Sequence, residues 1–274
     1  MPNDRGRVGA RHVENAAGIV QRGPVSRHGT ARIAVVTGAA QGIGQACARR
    51  LAEDGHDIAI ADIKDAEQTA ATVRGLGRRC LALECDVASG QSVETFAARV
   101  RQHLGTCEIL VANAAIYPVA ALSETSWDDW RRVMAVNVDS LYHLVRAFAP
   151  GMVEQGWGRI IVISSNTFHT GTPRFAAYTT SKGAVIGFVR AVATELGEAG
   201  VTINSIAPSI VRTEGTLAGP QNELGWFELV RDLQAIKRTE EPQDLVGAVS
   251  FFASDDSGFI TGQTLPVDGG LARA

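Results

Sequence analysis

Tyr178 and Lys182 stand four residues apart in the run Tyr178-Thr179-Thr180-Ser181-Lys182. On an α-helix, positions i and i+4 share a face, so a phenol and an ammonium at this spacing can act on one ligand. A free phenol has a pKa of about 10, too high for a base at neutral pH. A neighbouring ammonium favours the phenolate and lowers that value. The chemistry on offer is general acid–base transfer at a substrate oxygen. The chain holds three tyrosines, and its lysines are Lys64, Lys182 and Lys237 alone. A chance Tyr–Lys pair at this spacing is expected about 0.03 times in such a composition. A solvated surface pair is the plainer reading of the same spacing.

A second group of residues could hold a phosphate. The apolar run ending at Thr37 leads into Gly38-Ala39-Ala40-Gln41-Gly42-Ile43-Gly44, and a helical pattern follows. Glycines at these places permit a tight turn, close approach of backbone to a pyrophosphate, and close packing of helix on strand. The helix N-terminus then aims its free N–H groups at the phosphates. A Gly-rich turn without a ligand is the alternative, but the strand before and the helix after are the context the motif requires. The second apolar run ends at Asp62-Ile63, and Asp62 lies 18 residues beyond Gly44. A carboxylate there accepts hydrogen bonds from the adenosine ribose and repels a 2′-phosphate. Gln41 offers that phosphate no cation, so the expected cofactor is NAD rather than NADP, with Lys64 as the one nearby amine that weakens the preference.

These groups need a frame. From Ala31 onward, apolar runs at 32–37, 57–62, 80–85, 108–113, 159–164, 201–206 and 263–267 alternate with amphipathic stretches near 43–54, 65–76, 90–104, 125–154, 176–198 and 242–253. The short runs are rich in Ile, Val and Leu on both faces, as parallel strands covered on both sides are. The order predicts an α/β fold: a doubly wound, seven-stranded parallel sheet with helices on both faces, Rossmann-like, in a single domain spanning 31–274. Residues 213–237 are too long for an ordinary connection and read as a lid or a local helical insert. Residues 1–30 read as a disordered N-terminal extension.

Composition excludes several classes. With 26 basic and 29 acidic residues the net charge is −3, which gives no electrostatic case for nucleic acid or a membrane surface. Residues 1–30 carry +3 of this, which leaves −6 on the rest. No apolar run approaches the roughly 18–20 residues of a membrane helix. Cys47, Cys80, Cys85 and Cys107 form no CxxC pair, and the histidines show no metal spacing, so no metal is expected and a reducing, cytoplasmic setting is.

With these motifs in hand, the chain resembles the classical short-chain dehydrogenase/reductase family over about residues 31–271. The resemblance implies that Tyr178 is the acid/base that exchanges a proton with the substrate oxygen. It implies that Lys182 binds nicotinamide ribose and lowers the tyrosine pKa. Ser165, 13 residues before the tyrosine, would hydrogen-bond the substrate oxygen, with Ser164 the weaker candidate. Asn137, in Val136-Asn137-Val138, would hold a water of a proton relay. Asp86-Val87 and Asn113-Ala114 would line the cofactor; Pro208, Val211 and Thr213 belong to a segment that would close over nicotinamide. The C-terminal Val267-Asp268-Gly269-Gly270 resembles a stretch that packs at a tetramer interface, which implies a homotetramer. The family's Asn-Asn-Ala-Gly reads Ala112-Asn113-Ala114-Ala115 here, and its Pro-Gly reads Pro208-Ser209. Small backbone adjustments beside the cofactor are expected at both.

Two narrower resemblances compete. Ser165-Asn166-Thr167-Phe168 and the stretch from Asn222 to Ala235 are similar to pyridoxal 4-dehydrogenases; Ala114-Ala115-Ile116-Tyr117-Pro118 and Gly156-Trp157-Gly158-Arg159 are similar to 1-phenylethanol dehydrogenases. Both imply NAD-dependent oxidation of a small ring-bearing alcohol. Asn166, Phe168, His169, Leu217, Trp226 and Phe227 are the candidate substrate residues, since aromatic groups stack on flat rings. Ordinary lid packing accounts for them equally well. The alternatives to an alcohol dehydrogenase are a 3-oxoacyl thioester (acyl-carrier-protein) reductase and a non-catalytic NAD(H)-binding sensor.

Overall fold

The strand-forming runs become seven strands: β1 Ile33–Thr37, β2 Asp57–Asp62, β3 Cys80–Glu84, β4 Ile109–Ala112, β5 Gly158–Ile163, β6 Val201–Pro208 and β7 Thr264–Val267. They form one sheet in the order β3-β2-β1-β4-β5-β6-β7, with every pairing parallel. The structure is a computed structural model that describes residues 31–272; the expected N-terminal extension lies outside the described residues. The helices are α1 Gly42–Glu53, α2 Glu67–Gly75, α3 Gly90–His103, α4 Trp127–Met134, α5 Ser140–Gln155, α6 Thr167–Thr170, α7 Ala176–Leu196, α8 Glu214–Leu217, α9 Pro220–Glu223, α10 Trp226–Leu233 and α11 Pro242–Phe252.

Alternate strand residues face opposite ways, which is why the strands read as apolar throughout. Val35, Leu110, Ile160 and Ile203 pack with Phe96, Leu144, Phe148 and Val189 in one core, under α3, α5 and α7. Val36, Ile109, Val111, Ile161 and Ile206 pack with Leu51, Val73, Leu245 and Val249 in the other, under α1, α2 and α11. The sheet is thus covered on both faces, as the sequence predicts. The order in which strands are added reverses between β1 and β4, and ligands bind parallel α/β sheets at the carboxyl ends of such a switch point.

The single helix predicted over 125–154 is broken. Between α4 and α5 lies a π-helical turn, Ala135–Asp139, with Asn137 buried at its centre. Such a turn inserts an extra residue and redirects one side chain, and it occurs most often at functional sites. The 213–237 segment forms the short helices α8, α9 and α10, a local helical insert.

Helix α1 meets the strand before it closely at Gly44. A Cβ there would stand 2.2 Å from the Gly38 carbonyl oxygen and 2.6 Å from Asn113 Nδ2. Neither atom can yield without breaking the turn. Gly44→Ala is therefore expected to cost about 1–3 kcal/mol by overpacking, read as a fall in melting temperature, and to weaken dinucleotide binding beyond that. A variant with wild-type melting and binding would show that the contact is slack.

Candidate active site

The glycine turn is fastened from two sides. Gly38 has a φ of 65° and donates its N–H to Ala61 of β2 at 2.8 Å. Asn113 Nδ2 donates to the carbonyls of Thr37 at 2.9 Å and Gly38 at 3.0 Å. The Thr37 hydroxyl in return accepts the N–H groups of Asn113 and Ala114, both at 3.0 Å. Asn113 thus clasps β1 to β4 and holds the turn's shape. Helix α1 starts with Gln41 at its cap, no side-chain cap and no acidic residue in its first turn. Its leading N–H groups are left to an outside acceptor, as an anion site requires. Thr213 lies over this turn: a Cβ on Gly42 would come within 3.2 Å of Thr213 Cγ2. Ile43 is half-buried beside it.

Asp62 is buried at the end of β2. Its Oδ2 accepts the Ala40 N–H at 2.8 Å and its Oδ1 the Lys64 N–H at 2.9 Å. The carboxylate is therefore fixed against the turn, and each oxygen keeps a free lone pair. Lys64 Nζ donates to Gln41 Oε1 at 3.2 Å in an exposed contact. Ile63 is exposed beside them, and Asp86 is exposed after β3, while Val87 is buried in the core. The glycines, the uncapped helix and the ribose-side carboxylate together fit a dinucleotide.

The catalytic candidates converge at the same edge. The Ser165 hydroxyl, just past β5, lies close enough to Tyr178 to favour its phenolate. It also accepts from Thr167 N–H at 3.2 Å and from the Thr167 hydroxyl at 3.0 Å. Ser164 instead turns to α7 and donates to the Lys182 carbonyl at 3.4 Å. Lys182 is buried, donates Nζ to the Ile163 carbonyl at 2.7 Å, and lies 5.6 Å from the Tyr178 ring centroid. Asn137 braces the loop after β4 against α7. Its Oδ1 accepts the Ile116 N–H, and its Nδ2 donates to the Ile116 carbonyl, both at 2.9 Å, and to the Ser181 hydroxyl at 3.0 Å. Ser181 donates to the Tyr178 carbonyl at 2.6 Å, which closes the link to the tyrosine.

The electrostatics correct one expectation. The Tyr178 phenol is not lowered by Lys182; burial pushes it up to about 12, the nearby Ser165 opposes this, and Tyr117 adds to it. Burial likewise pulls Lys182 down to about 8. The reason is geometric: the ammonium is committed to the Ile163 carbonyl, and low-dielectric surroundings oppose charge on both groups.

The expected substrate residues divide. Trp226 packs on Phe175 at 5.3 Å between centroids, and Phe175 on Tyr178 at 5.2 Å. Tyr117 meets Tyr178 edge-on at 6.3 Å. Phe168 and His169 face elsewhere. With Ile186, Arg190, Gln263 and Pro266 they line a cavity of about 350 Å³ that does not include Tyr178. Phe168 is held there because its ring lies on the bare backbone of Gly183. Asn166 is buried and binds Asp268 Oδ2 at 3.4 Å. Phe227 is buried under the Arg212 guanidinium at 5.8 Å, and Leu217 is exposed on α8. Pro208 ends β6, and Val211 is buried and bridges to Glu240. Nothing local in the sequence marks Phe175 as a site residue; Tyr117, one of three tyrosines, carries a signal in its rarity. Among the described residues, no group of three or more His, Cys, Asp or Glu is placed to hold a metal ion, and no helix is long and apolar enough to cross a membrane.

Residues 38–272 match a family model described as Enoyl-(Acyl carrier protein) reductase. Meso-2,3-butanediol dehydrogenase of Serratia marcescens is 35% identical over 89% of this chain and 95% of its own length. The structure of carveol dehydrogenase from Mycobacterium avium in complex with NAD has a TM-score of 0.85 and 27% identity, over 89% of this chain and 99% of that one. The structure of a 3-oxoacyl (acyl-carrier-protein) reductase from Agrobacterium tumefaciens C58 with NADP bound has a TM-score of 0.81 and 29% identity, over 87% and 93%. A glycine turn with an uncapped helix, a Ser–Tyr–Lys cluster at the switch point and matches across most of the chain lead to one assignment: this protein belongs to the short-chain dehydrogenase/reductase family, enzymes that act on CH–OH groups.

Proposed function

We propose that the protein is an NAD-dependent dehydrogenase that interconverts a small, ring-bearing secondary alcohol and its carbonyl. The observation that carries this reading is the gathering of Ser165, Tyr178 and Lys182 beneath an aromatic wall of Tyr117, Phe175 and Trp226. Flat apolar walls beside one polar couple suit a ring with a single reacting oxygen. The narrower likeness to pyridoxal 4-dehydrogenases or to 1-phenylethanol dehydrogenases belongs to this proposal. So does a homotetramer in a cytoplasmic setting, for which the exposed Phe259, Phe251 and Leu265 near the C-terminus offer apolar contact surface.

When bound, the nicotinamide supplies a hydride acceptor in one direction and a donor in the other. The chain supplies the rest. The turn at Gly38–Gly44 and the start of α1 bind the pyrophosphate through N–H groups. Asp62 orients the adenosine ribose and disfavours a 2′-phosphate. Ser165 donates to the reacting oxygen. Tyr178, as phenolate, takes the hydroxyl proton in oxidation and, as phenol, returns it in reduction. Lys182 sits behind the ring, where its ammonium favours the phenolate once a cationic ring is near and water is gone. Asn137 is a brace that keeps Tyr178 and the loop after β4 in register. Oxidation needs the phenolate, and burial holds the phenol above its ordinary value, so oxidation should quicken as pH rises through the alkaline range.

A second reading, an NADP-dependent 3-oxoacyl thioester reductase, draws on Lys64, whose amine stands 3.2 Å from Gln41 on the ribose side, where a 2′-phosphate would be met. The two readings part on cofactor and substrate. NAD reduction with pyridoxal-like, phenyl and aliphatic alcohols should exceed NADPH oxidation with oxoacyl thioesters; the reverse order would make the second reading correct. Asp62→Ala should raise NADP use relative to NAD, and a wild type that used both equally would remove the ribose argument. Tyr178→Phe should lower turnover by roughly 10³-fold while NADH still binds, as followed by its fluorescence. Unchanged turnover would refute the acid/base role.

Lys182 allows a separate stability test. Its folded pKa of about 8 lies below the unfolded value, so the folded state binds fewer protons between the two and stability rises with pH across that window. At pH 7 the buried charge costs about 3 kcal/mol, offset by about 1 kcal/mol from the Ile163 bond. Lys182→Met should melt about 5 °C higher than wild type at pH 7, with a smaller gain at pH 10, and lose turnover. A lower melting point at pH 7 would show that the lysine stabilises the fold.

A further inference from the structure

Glu240 is buried, and it lies where four parts of the chain meet. Its Oε2 accepts the Ser209 N–H at 2.8 Å and the Ser209 hydroxyl at 2.7 Å, and its backbone carbonyl accepts the Arg212 N–H at 2.8 Å. Ser209 Oγ also stands 3.0 Å from Gln234 Oε1. Gln234 is buried at the far end of the lid and donates to the carbonyls of Ile236 and Arg238. Gly269 makes room for it, since a Cβ there would stand 2.7 Å from Gln234 Nε2. The Glu240 carboxyl group therefore holds Ser209 directly and, through Ser209 and Gln234, is linked to the far end of the lid and to the C-terminal turn.

That group is poorly compensated. Glu240 Oε1 is buried without a hydrogen-bond partner. Asp244 of α11 and Asp268 of the C-terminal turn both oppose its ionisation. The cations nearest in the chain are engaged elsewhere: Arg238 pairs with Asp244 at 2.6 Å and Arg212 with Glu241 at 3.6 Å. Burial first, then these two carboxylates, push Glu240 up to about 7, against the Ser209 bonds that lower it. An ionised, half-satisfied carboxylate in such a place loosens what it holds.

We propose that Glu240 is a positioning residue whose carboxyl group, by gaining and losing a proton, sets how firmly the Pro208–Thr213 segment and the lid are held over the cofactor cleft. The protonated form holds them and the carboxylate releases them. The cofactor half of this inference rests on the proposed NAD(H) site; the lid half does not.

The test follows two signals over pH 6–8.5. One is the emission of Trp226 in the lid of the full chain without cofactor, taken as the difference between wild type and Trp226→Phe. The other is the NADH dissociation constant by fluorescence titration. In wild type both should titrate together, with NADH binding weakening about 3–10-fold as pH rises. Glu240→Gln should hold both signals near their low-pH values throughout. Ser209→Gly removes a bond that favours the carboxylate and should move the midpoint up; Asp244→Asn removes a like charge and should move it down. These opposite shifts decide the matter if Glu240→Gln does not fold. A flat Trp226 signal in wild type, a titration that persists in Glu240→Gln, or a midpoint unmoved by both other variants would overturn the proposal. Failure of NADH to bind at every pH would refute the cofactor site and the cofactor half with it, while the Trp226 titration still decides the lid.

Discussion

The clasp between Thr37 and Asn113 is the contact on which the site depends. Two hydrogen bonds join the pair, and two more tie Asn113 to Gly38 and Thr37 to Ala114 across the point where β1 and β4 part. A parallel sheet has no hairpin to fix the ends of neighbouring strands, so the two loops that leave this point would otherwise diverge freely. One loop carries the glycine turn. The other runs through Ile116, which Asn137 grips by both backbone groups, to Tyr117 beside Tyr178. The phosphate end and the chemical end of the cleft are thus referred to one pair of side chains. A displacement there moves both together.

The site is also arranged so that charge is expensive in it. Tyr178 and Lys182 are each pushed toward their neutral forms, and the lysine meets a carbonyl rather than the phenol oxygen. The phenol is neutral at rest while the lysine still carries its proton at pH 7, so a phenolate formed when a positively charged ring arrives is stabilised where no water competes. The i,i+4 spacing placed the two groups together; it could not tell which way the ammonium turns, because that is settled by the Ile163 carbonyl on another strand.

What the sequence makes legible follows from periodicity and special residues. The seven strands, their parallel order and the glycine turn are readable because each is written in a local pattern of branched apolar residues or glycines. Asp62 is readable from its place at a strand end. The break at Ala135–Asp139 is not, since the residues around it suit an unbroken helix and the turn is stabilised by Ile116 and Ser181, distant in sequence. The placement of Phe168 and His169 is hidden for a related reason. Closeness to Ser165 along the chain suggests the substrate, but α6 carries them to the β7 side, where Gly183 leaves space for the ring.

The two departures beside the cofactor are absorbed differently. Ala115 and Ser209 stand where the resemblance has glycine, yet neither has a positive φ; Arg174 is the sole non-glycine residue that does among those described. Neither position needs glycine for its backbone, so the cost of replacement is only space and polarity. Ala115 adds a methyl group and no polar atom. Ser209 adds a hydroxyl in a buried neighbourhood, and such a group is tolerated only if it finds partners. It finds Glu240 and Gln234, and through them both ends of the lid. The departure that looks most like damage in the sequence thus ties the segment after β6 to a buried carboxyl group and a buried amide.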